Sequence, residues 1–129
     1  MNKKRIAVVG AGIGGMTTAV ALSQKGRDVT IFEQAPTLSE VGAGLTITPN
    51  ATKGLMYLNL GKEIEKIGMA HEKQGVRHYK TGDMIVPLHR GKKMLEQYGA
   101  YQFQLHRADI HDVLVNELKK NAPDSIYVN

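Results

Sequence analysis

The residues with the clearest chemical content are glycines. Gly10-Ala11-Gly12-Ile13-Gly14-Gly15 spells G-x-G-x-x-G, and Glu33 follows about twenty residues later. Without side chains at Gly10, Gly12 and Gly15 the backbone can turn tightly, approach a pyrophosphate and let a helix lie close on a strand. A helix starting there turns its unpaired N–H groups and positive dipole end toward phosphate oxygens. A carboxylate at Glu33 can accept hydrogen bonds from ribose hydroxyls, and its charge repels a 2′-phosphate. The passage therefore suits FAD or NAD over NADP.

Other chemistries find little support. The chain has no cysteine, which excludes disulfides, thiolate nucleophiles and thiolate metal sites and leaves the cytoplasm as the default compartment. His71, His78 and His89 are isolated, and His106 and His111 are spaced five apart rather than the four of a helical metal pair. All five read as surface or cap histidines, and no metal is expected. His106-Arg107-Ala108-Asp109 sets its acid one place too late for a kinase catalytic loop, and a helix rather than a hairpin follows the glycines. No residue is assigned a catalytic role.

The elements that must hold the glycine passage are legible around it. Arg5 to Val9 is a β-branched run of the kind found in a strand buried on both faces. Met16 to Lys25 reads as a helix with Met16, Ala19, Val20 and Ser23 on one side, closed by Gly26, and Asp28 to Phe32 as a second strand ending at Glu33. Together they make a β-α-β unit. Val41-Gly42-Ala43-Gly44-Leu45-Thr46-Ile47-Thr48-Pro49-Asn50 is a second glycine-rich passage running into a strand, with Asn50 as cap of a helix over 51–58. A short helix is expected over 62–67 and a hairpin over 75–87, its strands at 76–79 and 84–86. Residues 88–99 read as loop, 101–105 as strand, 107–120 as a helix with Ile110, Val113, Leu114 and Leu118 on one face, and 126–128 as a last strand.

Length and charge bound the rest. At 129 residues and 42% apolar content the chain is one compact domain or a piece of a larger protein. The net charge of +5 is spread over scattered lysines and arginines, and its densest groups, Lys3-Lys4-Arg5 and Arg90-Gly91-Lys92-Lys93, lack neighbouring aromatics, so nucleic-acid binding is not expected. The opening basic cluster and apolar run imitate a secretory signal, but Gly10, Gly12, Gly14 and Gly15 interrupt the run, which is also too short and glycine-rich to span a bilayer.

The passages VVGAGIGGMTTAVALSQKG, VTIFEQA, VGAGLTITPNATKGLMYLNLG and YQFQLHRADIHDVL, in this order and spacing, resemble the FAD-dependent aromatic hydroxylases, which are single-component flavoprotein monooxygenases. The set looks nearest to the salicylate, 3-hydroxybenzoate and 6-hydroxynicotinate hydroxylase branch and runs from Arg5 to about Leu118. The resemblance implies an α/β fold, a Rossmann-like FAD-binding β-α-β with a parallel sheet plus a small hairpin insertion. It further implies that residues 1–129 are a truncated, N-terminal part of the FAD-binding domain. It gives FAD as bound cofactor, NADH or NADPH as reductant, O2 and a small, anionic aromatic substrate. Gly10, Gly12, Ile13, Gly14 and Gly15 would hold the pyrophosphate, Glu33 and Gln34 the adenosine end, and Arg107 the phosphate and ribose side, while Thr46 would lie near the flavin ring.

Two departures stand out. Many relatives carry an arginine just before V-G-A-G, where this chain has Ser39-Glu40-Val41, and the family's later D-G and G-D motifs and substrate-covering sheet have no counterpart here. Gly82-Asp83 is not the missing G-D, since it falls in the expected hairpin turn. The chain alone is accordingly expected to bind FAD weakly, to be inactive in hydroxylation and to self-associate through the sheet edge after Val128. A non-catalytic dinucleotide-binding module and a fragment of an NAD-dependent dehydrogenase are the alternative readings.

Overall fold

A computed structural model describes residues 4–39 and 42–129. Its backbone contacts form two compact units, one made of residues up to Ala43 together with His106–Asn129, the other of Gly44–Leu105.

The first unit is the β-α-β unit with one addition. Strand β1 (Arg5–Val9) leads through the glycines into α1 (Ile13–Gln24), and β2 (Asp28–Glu33) returns parallel to β1 with Ile6 opposite Val29 and Val8 opposite Ile31. Helix α5 (Arg107–Asn121) packs on α1 and leads to β7 (Ile126–Val128), parallel to β2 on its other side, so the sheet order is β1-β2-β7. The core lies between α1, α5 and one face of β2. Met16, Ala19 and Val20 of α1, Ile110, Leu114 and Leu118 of α5, and Val29 and Ile31 of β2 are all buried. Burying aliphatic side chains of this size stabilises a fold by about 1.5–3 kcal/mol each.

Three expectations are corrected in this unit. Helix α1 starts at Ile13, three residues early, because Gly12, in extended conformation, already serves as its N-cap. Strand β1 is not buried on both faces. It has a single strand neighbour among the described residues, and Val9 is 87% exposed. On α5 the buried set is Ile110, His111, Leu114, Val115 and Leu118, with Val113 only half-buried. The face turned toward α1 is thus rotated by about one residue from the expected stripe.

The second unit holds β3 (Gly44–Ile47), α2 (Pro49–Tyr57), α3 (Gly61–Ile67), β4 (Lys73–Arg77), β5 (Met84–His89), α4 (Lys92–Tyr98) and all but the last residue of β6 (Phe103–His106). Strands β3 and β6 form one two-stranded sheet, and β4 and β5 an antiparallel hairpin. The hairpin's first strand begins earlier than expected and breaks register between Val76 and Arg77. Val41, where the second glycine-rich passage begins, lies outside the described residues. The N-cap of α2 is Thr48 rather than Asn50, since Pro49 occupies the first helical turn, where its missing N–H costs nothing. Residues 88–99 are not loop: β5 extends to His89 and α4 follows. Gly91 (φ 59°) turns the chain into this helix and Gly99 (φ 72°) ends it in the left-handed conformation. A seven-residue helix between two glycines is too short to show an apolar period.

Among the described residues no helix is long and apolar enough to cross a membrane, and no group of three His, Asp or Glu could hold a metal ion.

Candidate functional site

The candidate site belongs to the first unit. Gly10 adopts φ 93°, a conformation L side chains rarely take, and its N–H donates to the Phe32 carbonyl at 2.8 Å, so the end of β1 stays tied to β2 as the chain turns. Gly15 sits against that turn. A Cβ there would lie 1.9 Å from the Gly10 carbonyl oxygen, a distance only hydrogen at this position relieves. Gly14, by contrast, faces open space. Helix α1 has no side-chain cap and no acid in its first turn, so its orphan N–H groups are left for an anion.

Around this helix start lies a pocket of about 250 Å³ lined by Ala11, Gly12, Glu33, Ala35, Thr37, Leu38, Ser39, Arg107 and His111. Glu33 ends β2 here. One carboxylate oxygen accepts the Ala11 N–H at 2.7 Å and the other the Ala35 N–H at 2.9 Å. The Ala11 N–H, followed by that of Ala35, holds the Glu33 carboxyl below its ordinary value against a smaller opposing cost of burial. The group is thus ionised at neutral pH, and a carboxylate with two bonds made still has lone pairs for hydroxyl donors.

The opposite wall comes from α5. The Arg107 N–H donates to the Ala43 carbonyl at 2.9 Å, fixing the helix start, and the guanidinium extends over the loop. A Cβ built on Gly12 would come within 3.9 Å of its Nη2. Any side chain at position 12 would therefore project into the space between loop and guanidinium, where a phosphate would need to fit. One helical turn on, His111 is 2% exposed, and its Nε2 lies 2.6 Å from the Ala11 carbonyl oxygen. A carbonyl can only accept, so Nε2 carries the proton.

The predicted site residues divide as follows. Gly12, Glu33 and Arg107 line one pocket, with Gly10 and Gly15 shaping its turn and Ile13 and Gly14 opening the helix. Gln34 is exposed and lines a different hollow, with Val9, Phe32, Tyr127 and Val128. Thr46 is exposed on β3 in the second unit. The surface-or-cap reading of the histidines fails for His111, which is buried and bonded to the glycine loop. The missed signal was its spacing: His111 follows Arg107 by four, so both face the same way, whereas the comparison with His106 was uninformative. Thr37, Leu38 and Ser39 were also missed, and nothing in their residue types marks them.

Residues 8–55 match the family of NAD(P)-binding Rossmann-like domains. The chain is 38% identical over 122 residues to 6-hydroxynicotinate 3-monooxygenase of Pseudomonas fluorescens, a match covering 95% of this chain and 31% of that protein. Among solved structures, 2-methyl-3-hydroxypyridine-5-carboxylic acid oxygenase in its tetrameric form superposes with a TM-score of 0.84 at 24% identity, covering 100% of this chain and 32% of that one. HpxO of Klebsiella pneumoniae, in complex with FAD and uric acid, gives a TM-score of 0.78 at 26% identity over 98% of this chain and 31% of its own. The resemblance to the FAD-dependent aromatic hydroxylases and the Rossmann-like fold are thus borne out over nearly the whole chain, which spans about a third of the length of the curated relatives it matches.

Proposed function

We propose that this chain is the part of an FAD-dependent aromatic monooxygenase that grips the ADP half of FAD. The carrying observation is the cleft in which the side-chain-free Gly12, the ionised Glu33 and the Arg107 guanidinium line one pocket beside the uncapped start of α1. In this reading the first-turn N–H groups and Arg107 bind the pyrophosphate, and the free lone pairs of Glu33 accept from the adenosine ribose. His111 keeps Ala11, and with it the loop, in place. Gln34 and Thr46 remain proposed contacts on the strength of the family resemblance alone.

FAD, when bound, supplies the redox and oxygen chemistry, and the protein supplies orientation. The whole enzyme would use O2 to hydroxylate a small aromatic compound, as the names of its relatives suggest, while NADH or NADPH as reductant and an anionic substrate rest on the family resemblance. The flavin and substrate contacts would come largely from residues beyond this chain, so the chain by itself binds FAD weakly and does not hydroxylate.

The test is an absorbance spectrum of the purified chain, mass spectrometry of released ligand, and titration with FAD, ADP and NAD. Saturable ADP and FAD binding that weakens in Arg107→Ala supports the reading. Binding of NAD alone would favour a dehydrogenase fragment, binding of ADP without either dinucleotide a non-catalytic module, and hydroxylated product from the isolated chain would refute the division of labour.

A further inference from the structure

Helix α5 is tied to the β-α-β unit by polar bonds near opposite ends of its contact with α1. At one end the buried His111 donates from Nε2 to the Ala11 carbonyl at 2.6 Å. At the other, Gln24 Nε2 donates to a Glu117 carboxylate oxygen at 3.3 Å. Between these ties lie the buried Met16, Ala19 and Val20 of α1 and the buried Leu114 and Val115 of α5. Aliphatic burial favours docking of the two helices but has no direction, so it does not by itself fix how far α5 slides along α1. Hydrogen bonds do, because each is lost over a displacement of about 1 Å.

The His111 tie sits where such a displacement has a consequence. Ala11 is held at both of its backbone groups, its N–H by Glu33 at 2.7 Å and its carbonyl by His111. One turn before His111, on the same side of α5, Arg107 lines the cleft with Gly12 and Glu33. About 6 Å of helix separates the two residues, too little to bend, so a shift of His111 against Ala11 is also a shift of the guanidinium against Gly12. An imidazole turns about two side-chain bonds only and so acts as a short, stiff spacer. The need of a buried carbonyl for a donor accounts for a hydrogen bond at Ala11, but not for its coming from the residue four positions after Arg107.

We infer that His111 is the positioning residue for Arg107: its bond to Ala11 sets α5 against the glycine loop at the register that holds the guanidinium beside Gly12, within reach of a diphosphate. That a diphosphate is the group so gripped rests on the functional reading above. The link from His111 to Arg107 rests on the bond and the helical spacing alone.

The experiment compares ADP with adenosine. In the proposed reading both use Glu33, but only ADP carries the diphosphate, so a fault transmitted through Arg107 separates them. Binding to the 129-residue chain is followed by proton–nitrogen correlation spectra. His111→Phe should weaken ADP about fivefold and adenosine by less than about twofold, and His111→Gln, which can still donate, should fall between the parent and His111→Phe. In an Arg107→Ala background, His111→Phe should cost ADP less than about twofold, the mark of two residues acting through one contact. Gln24→Ala, which cuts the distal tie, should lower the melting temperature and leave the ratio of the two affinities unchanged. Without any ligand, the nuclear Overhauser contact between the Arg107 guanidinium and the Gly12 α-hydrogens should weaken in both His111 variants and persist in Gln24→Ala. Equal weakening of ADP and adenosine, additive losses in the double variant, or an unchanged Arg107–Gly12 contact in His111→Gln would overturn the inference, the last even where His111→Phe fails to fold. An unaltered chain that binds neither ligand removes the functional reading, while the ligand-free contact still decides the link between His111 and Arg107.

Discussion

The glycine cleft of the first unit and the Arg90 pocket of the second are built in opposite ways. In the cleft the donors are mainly backbone N–H groups at a helix start, and Glu33 and Arg107 flank them with opposite charges. In the pocket, bordered by α2 and α4, the donors are side chains, the charges of Arg90 and Lys53 have the same sign, and Arg90 is positioned by Gln74 and Gln102. A backbone site is fixed as soon as the strand–turn–helix forms. A side-chain site depends on partners brought in from distant segments. The first should therefore fail mainly when the backbone path is altered, and the second when single side chains are.

The most disruptive change should be Gly15→Val. A Cβ there collides with the Gly10 carbonyl, so strand and helix must separate, and overpacking of this kind costs about 3 kcal/mol. Thermal unfolding should shift sharply downward and ADP binding vanish. Retained ADP binding would mean that the cleft is not backbone-built. Next, Arg107→Ala should weaken ADP binding by about tenfold or more with little change in melting temperature, measured by calorimetry.

The contribution of Glu33 should depend on pH in a set direction. Its folded-state pKa lies below the ordinary 4.5, so its bonds to Ala11 and Ala35 contribute stability above that value, which is lost as pH falls through the depressed one. ADP affinity and melting temperature should both decline on acidification below about 4.5. In Glu33→Gln this acid limb should flatten, and a limb of unchanged height would remove Glu33 from the cleft.

Smaller effects sharpen the contrast further. His111→Phe leaves the Ala11 carbonyl without its donor and should cost about 1–3 kcal/mol in denaturant unfolding, with loosened ADP binding. His111→Gln, which can still donate, should restore part of both. Smallest is Thr52→Val in the second unit. The buried Thr52 hydroxyl has no hydrogen-bond partner among the described residues, so its removal should be neutral or stabilising by less than about 1 kcal/mol and leave both sites intact.

Legibility followed the range of the interactions. The β-α-β unit, the roles of Gly10, Gly12 and Gly15 and the place of Glu33 could be read because turn chemistry and hydrophobic period act over a few residues. Helix α4 was missed because two glycines bound it rather than an apolar stripe. The two-sided burial expected of β1 failed for another reason: a strand's periodicity reports its own residues, whereas its burial depends on how many neighbours the sheet supplies.

The sequence by itself determined a glycine-rich turn between a strand and a helix, with an acid at the end of the next strand, because those features are dictated by residues close together in the chain. Only the tertiary structure decided that His111 would hold the Ala11 carbonyl across 100 residues of sequence, that Arg107 would reach over Gly12, and that Gln74 and Gln102 would clamp Arg90. Such contacts arise when whole elements pack, and no local pattern encodes which side chains that packing brings within hydrogen-bond reach.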